Sequence, residues 1–219
     1  MAKLTWDATG QRLYETGVRN VVLYVKDGGT YKEGVAWNGV TSIEENPTGA
    51  EATPLYANDI KYLNLVSNEE YEASITAYTY PDEFAECDGS AELKTGVRIG
   101  QQPRKEFGLC YRTAIGNDTE GTEHGYKLHL VYGALASPSS KSHSTINNDP
   151  EAAEMSWDIT TTPVEVTGHR PTSVVEIDST KVDPLKLAEL EKKLYGGDQE
   201  GDKPTLPSPD GVAAIFNAA

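Results

Sequence analysis

Apolar and polar positions alternate with period two in one segment of this chain after another, the pattern of strands with one face buried. Tyr71, Ala73, Ile75, Ala77 and Thr79 alternate with Glu72, Ser74, Thr76, Tyr78 and Tyr80. Phe107, Leu109, Tyr111, Thr113 and Ile115 form a second row, and Tyr126, Leu128, Leu130, Tyr132 and Ala134 a third, whose opposite side, with Lys127 and His129, is expected to face solvent. Met155, Trp157, Ile159 and Thr161 against Glu154, Ser156, Asp158 and Thr160 predict a further strand, and Val174 to Ile177 a short last one. Val18 to Lys26 reads as a strand too. Asp27-Gly28-Gly29 supplies positive-φ residues for a tight turn into Thr30 to Trp37, so this pair is expected as a hairpin.

Helix signals are few. In Pro81-Asp82-Glu83-Phe84-Ala85-Glu86-Cys87 a proline suits a first turn, acids meet the positive helix end, and Phe84 and Cys87 share a face before Asp88-Gly89. The stronger signal starts at Asp183 as cap, continues through Pro184 with a Leu187, Leu190, Leu194 stripe, and stops at Gly196. The sequence therefore predicts a mainly β fold with one short packed helix and a C-terminal helix over 183–195. Tyr71, Phe84, Trp157, Leu187, Leu190 and Leu194 are expected to do the packing. Residues 196–219 carry Gly, Pro and Asp and read as a flexible acidic tail beyond a domain spanning 1–195.

Two long polar stretches, Thr41 to Asp59 and Ser137 to Glu151, read as loops, and loops of that length are usually functional. Charge narrows the function classes. Acids outnumber bases 34 to 19 in the 219 residues, a net charge of −15, which disfavours a surface that grips nucleic acid phosphates or anionic lipid. No apolar run reaches membrane-spanning length, and no apolar run follows Lys3, so neither a span nor a signal peptide is expected. Two cysteines, Cys87 and Cys110, make no disulfide framework and fit a reducing cytosol. In that compartment the Asn117-Asp118-Thr119 sequon carries no glycan.

Catalytic signatures are missing: there is no G-x-G-x-x-G, P-loop, H-E-x-x-H, G-x-S-x-G or C-x-x-C. His124, His129, His143 and His169 lack metal-ligand spacing, and Gly116 to Gly125 lacks the calcium-loop pattern and reads as a solvated connection. Cys87 and Cys110 read as buried small hydrophobes. Neither an enzyme nor a resident cofactor or metal is expected, and no repeat of solenoid period is present.

The order of certain segments carries a resemblance. Ala52 to Asp59 (ATPLYAND), Tyr71 to Phe84 (YEASITAYTYPDEF), Ile99 to Gln102, Phe107 to Asp118 (FGLCYRTAIGND), Tyr126 to Gly133 (YKLHLVYG), Trp157 to Val164 (WDITTTPV) and Ile177 to Pro184 (IDSTKVDP) follow one another in this order. Together they resemble the major tail protein, or tail tube protein, of long-tailed double-stranded DNA bacteriophages. The resemblance implies a β-sandwich with one packed helix, strands that close into a ring on oligomerisation, hexameric rings stacked into a noncontractile tail tube, and DNA passing through the lumen during ejection into the host. It implies the tape measure protein, a tail terminator and a distal tail protein as partners, and a place in the virion tail after assembly in host cytoplasm. Glu44, Glu45, Asn46, Thr48, Glu51, Pro54, Leu55 and Tyr56 become candidates for an inter-ring loop, expected to be mobile until stacking orders it. The acidic balance suits a lumen that repels phosphates, without assigning individual acids to it. A carbohydrate-binding or adhesin-like β-sandwich would share the strand pattern and is the alternative.

Overall fold

The computed structural model describes residues 3–143, 145, 152–199 and 201–217. Asn147 to Glu151 of the second polar stretch and Glu200 of the acidic tail lie outside the described residues. The chain opens with β1 (Tyr14–Asp27), turns at Gly28 and Gly29, both at positive φ, and returns as β2 (Thr30–Tyr31) and β3 (Val35–Ala36). The expected hairpin forms, with Lys26 opposite Tyr31 and Asp27 opposite Thr30, but its second strand is two fragments. Next come β4 (Val40–Glu45), β5 (Thr48–Gly49), β6 (Ala52–Ala57), β7 (Ile60–Val66), β8 (Glu69–Glu70) and β9 (Glu72–Ala77). A 3₁₀ turn at Asp82–Glu86 precedes a small hairpin, β10 (Ala91–Lys94) and β11 (Val97–Ile99). Then follow β12 (Phe107–Asn117), β13 (Gly121–Ala136), β14 (Met155–Thr161), β15 (Val174–Asp178), α1 (Pro184–Tyr195) and α2 (Pro209–Asn217).

Nine strands form one antiparallel sheet in the order β2-β1-β12-β13-β14-β9-β4, with β3 on β1 and β15 on β13. It curls over its own apolar face. Leu23, Ile75, Leu109, Val131 and Ile159 from five strands meet there around Trp37, Phe84 and Trp157, whose rings contact at centroid separations of 4.4 to 5.7 Å. The curl stops short of a barrel. Trp37 and Gly39 bridge the gap, the first donating to Val21 O and the second accepting from Tyr78 N, while β1 and β4 pair with other strands.

The convex face is also buried. Val22, Tyr24, Cys110, Leu128, Leu130 and Tyr132 point outward under Leu187, Leu190 and Leu194 of α1. Asp183 caps α1, its carboxylate accepting from Leu185 N and Lys186 N at 2.8 and 3.2 Å. With both faces covered, Val21 to Val25 runs apolar without alternation, as a strand enclosed on both sides must. Burial pushes the Cys87 and Cys110 thiols up to about 12, so both stay protonated.

Four expectations need correction. Thr41 to Asp59 is not a loop, because β4, β5 and β6 occupy most of it. Gly116 to Gly125 is a tight connection rather than a long one: the Asn117 side chain accepts from Thr119 N and Glu120 N and turns the chain within three residues. The single row Tyr126 to Ala134 splits at Gly133, which sits at φ 58 where a Cβ would overlap the Thr162 carbonyl oxygen; this bulge sends Tyr132 outward and Ala134 inward. His129, on the side expected to face solvent, is only 6% exposed and stacks on Tyr111.

The stretch 196–219 also departs from a flexible tail over its described part. Leu206, Val212 and Ile215 are buried in the outer core, Gly34 N donates to Pro204 O and Tyr132 Oη to Pro207 O, and Asp210 accepts from Thr167. Apolar area outweighs the entropy of ordering the linker because both of its ends are tied down. We expect Leu190→Ala to lower unfolding free energy by about 2–5 kcal/mol, and Ile215→Ala to lower it by a comparable amount, in urea titrations. An unchanged midpoint for Ile215→Ala would show that the C-terminal segment contributes no packing.

Candidate assembly surface

Between Glu45 and Tyr71 the chain leaves the sheet and makes a separate arm. At its base β5 and β8 pair Thr48 with Glu70 and Gly49 with Glu69. Gly49 is required there, since it sits at φ 81 and a Cβ would overlap the Asn68 carbonyl oxygen. Beyond the base, β6 and β7 form a two-stranded hairpin that pairs with no other strand. Asn58 and Asp59, at φ 50 and 63, supply the two left-handed residues of its turn, a conformation these residue types tolerate best after glycine. Pro54 removes a ladder donor at no cost where the strand has no second neighbour.

Every residue of β6 and β7 is exposed. Tyr56 and Tyr62 are each 70% accessible and Ile60 67%, with Leu55, Leu63, Leu65 and Val66 exposed beside them. Soluble monomers rarely present apolar surface so concentrated, and an isolated two-stranded hairpin is marginal in water. The arm is therefore a candidate docking surface. A second exposed hairpin, β10–β11, carries Leu93, Val97 and Ile99 on its surface. Two sheet edges are open in part as well: β4 pairs on one side only, with β9, and the outer side of β1 is engaged from Val21 to Asp27 while, among the described residues, Tyr14 to Asn20 pair with no strand on that side. An open cleft of about 510 Å³ lies along that edge, lined by Val18, Arg19, Asn20, Trp37, Gly39 and Tyr195, a set without a nucleophile and base pair.

The residues singled out in sequence fall into two groups. Glu44 and Glu45 end β4, Asn46 follows, Thr48 lies in β5 and Glu51 just before β6, and Pro54, Leu55 and Tyr56 lie in β6; all are exposed and all belong to the arm or its root. Tyr71, Phe84, Trp157, Leu187, Leu190 and Leu194 are buried. Sequence reasoning missed the arm's second strand, Ile60 to Val66. Its signal was Asn58-Asp59, a turn pair between two apolar runs. Asp88 was also missed as a binding hub. Its side chain, 8% exposed, accepts from Trp157 Nε1 at 3.2 Å and pairs with Lys141 at 2.5 Å and Arg104 at 3.5 Å, tying the start of the 137–151 stretch to the core. Among the described residues, no cluster of three or more His, Cys, Asp or Glu is placed to hold a metal.

No protein-family model and no curated protein matches the chain. Among solved structures, a chain in the cryo-EM structure of the anti-feeding prophage (AFP) baseplate, 6-fold symmetrised, is similar at 7% identity and a TM-score of 0.38, covering 80% of this chain and 97% of that one. A chain of the PVC sheath/tube terminator of an extracellular contractile injection system, in its extended state, is 11% identical with a TM-score of 0.36 over 80% of this chain and 99% of that one. A third, from the PVC sheath-tube complex, is 13% identical with a TM-score of 0.31 over 73% and 88%. Likenesses at this level do not assign a function.

Because Tyr62 and Leu65 of the arm are exposed, Tyr62→Ser with Leu65→Ser is expected to leave the unfolding free energy within about 0.5 kcal/mol of wild type. The same double variant should bind less of an apolar fluorescent dye. A large loss of stability in urea titration would show that the arm packs on the body after all.

Proposed function

We propose that this chain is a structural subunit of a phage-type tail, polymerising into stacked hexameric rings that form the tube through which DNA is ejected. The observation that carries the reading is the β5–β8 arm, a hairpin with its apolar side chains presented outward and anchored only at its root. In this reading the arm docks on a copy in the next ring, and the open edges of β1 and β4 meet neighbours within a ring, which removes edges that otherwise aggregate. The segment order that resembles tail tube proteins supports it, Ala52 to Asp59 of that resemblance being the arm's own first strand and turn.

The rest follows from the resemblance: a noncontractile tail, a non-enzymatic role, a tape measure protein inside the tube, a terminator and a distal tail protein at its ends, and assembly in host cytoplasm before residence in the virion. The net charge of −15 suits a conduit, since carboxylates facing DNA phosphates prevent the adhesion that a basic lining would cause.

Two measurements test the proposal. Ala52 and Val66 face each other across the hairpin, so residues 53–65 can be replaced by a two-residue glycine turn with little strain on the base. Negative-stain microscopy and light scattering of the concentrated subunit, with tail initiator proteins supplied, should show rings or tubes for the wild type and no stacked tubes for the shortened arm. A wild type that stays monomeric under those conditions, or a shortened arm that stacks normally, overturns the reading. In a band-shift at low salt the subunit should not retain duplex DNA. Retention that weakens with salt would mean that a basic surface governs DNA contact and would contradict the repulsive lumen.

A further inference from the structure

Both roots of the arm converge on one tyrosine. On the way out, β4 ends at Glu45, whose carboxylate accepts the Tyr111 hydroxyl. On the way back the chain re-enters the body at Tyr71, whose buried hydroxyl lies beside Tyr111 and Glu45 without closing a hydrogen bond. Asn46 N donates to Glu72 O at 2.8 Å and clips the two roots together. Under Tyr111 lies the His129 ring, stacked with centroids 4.6 Å apart and planes 3° from parallel. Its Nε2 is 2.9 Å from Thr113 Oγ1, and its Nδ1 faces the Glu45 carboxylate at 3.6 Å and that of Glu176 at 3.9 Å.

We propose that Glu45, Tyr71, Tyr111 and His129 form an acid-released catch, which fixes the posture of the β5–β8 arm near neutral pH and frees it when His129 takes a proton. The meaning of the catch for stacking rests on the arm's proposed role, whereas the catch itself does not. The groups facing His129 come from four neighbouring strands as well as its own: Glu45 from β4, Glu176 from β15, Glu15 from β1, Tyr111 and Thr113 from β12, and Lys127 from β13. Burial holds the imidazole below the ordinary histidine pKa, against an upward pull from Glu45, Glu176 and Glu15 and with a downward push from Lys127. The sign follows from linkage. The closed root binds the proton more weakly than an opened, hydrated root, whose histidine titrates near ~6.5. Closure is therefore fully favoured above that pH. As pH falls below it, the open form gains up to about tenfold per unit until the lowered closed-state value is reached.

Hydrogen exchange on the full-length subunit tests this, reading peptides that cover 43–51 and 67–73 at pH 7.5 and 5.5 after normalising for intrinsic exchange rates. Wild type should lose protection roughly three- to tenfold at pH 5.5, while β12 and β13 core peptides do not change. His129→Gln, which keeps a polar partner for Thr113 without titrating, should show no such loss, and Tyr111→Phe should already be loosened at pH 7.5. Unchanged wild-type roots, or an equal loss in His129→Gln, overturn the catch. If His129→Gln does not fold, NMR titration of wild type replaces it: the Asn46 and Glu72 amide signals must move with the midpoint of the His129 ring signal, and separate midpoints overturn the proposal. The stacking assay on the shortened arm stands apart, so tubes that form without the arm refute its role in stacking and leave the catch to be judged by exchange alone.

Discussion

Burial of β1, β12 and β13 on both faces is the constraint on which the rest depends. The inner face of these strands closes against β9, β14 and the Trp37, Phe84 and Trp157 rings, and the outer face against the leucines of α1 with Leu206, Val212 and Ile215. Each side chain sealed in this way contributes about 1.5–3 kcal/mol. The double seal fixes strand register, because a slip of one residue would exchange Val22 and Tyr24 with Leu23 and Val25 and send each into the wrong core. With register secured in the body, the chain can devote residues 46–70 to an arm that adds nothing to the core and is free to serve contacts elsewhere.

The polar cluster around His129 shows where the inner core gives out. Along β13, Val131 lies in the apolar core, His129 two positions earlier is buried among polar groups, and Lys127 two positions before that bridges Glu15 and Glu176. The same face thus passes from hydrocarbon to ions within five residues. The arm root sits at that transition, where a hydrogen-bonded tyrosine and carboxylate hold geometry more specifically than apolar contacts do, because an unpaired buried partner is costly.

Legibility in the sequence tracked how local the cause was. The α1 cap, stripe and stop are local, and Asp183, Leu187, Leu190 and Leu194 sit where the spacing puts them. The strands 71–79, 107–115, 155–161 and 174–177 were legible from alternation alone. What failed depended on partners far away in sequence. The polar residues Thr41 to Glu45 become most of β4 because β9 offers an edge, and His129 is buried in contact with Tyr111 and with Glu45, the latter eighty-odd residues earlier. Gly133 could have marked a bulge, but only the approach of Thr162 forces the left-handed turn. The C-terminal run Val212 to Phe216 is apolar, but its docking groove is assembled from β1, β12, β13 and α1 and has no local signature, so 196–219 read as a tail. The arm was not legible as a hairpin: its first strand, Ala52–Ala57, lay inside the stretch read as a polar loop, and its second, the apolar run Ile60–Val66, was assigned to no element.

The pairing of β1 with β12 bears on when the chain can complete its sheet during translation. Tyr14 meets Gly116 and Val25 meets Phe107, so the N-terminal strand has no sheet partner on that side until about ninety further residues have been made. Tyr24, at its centre, bonds to Leu194 O and is enclosed only when residues as far along as Ile215 have arrived. Pairing across so long a separation carries a loop-closure cost that slows folding. A nascent chain therefore cannot hold β1 in a finished sheet until residues beyond Phe107 have left the ribosome.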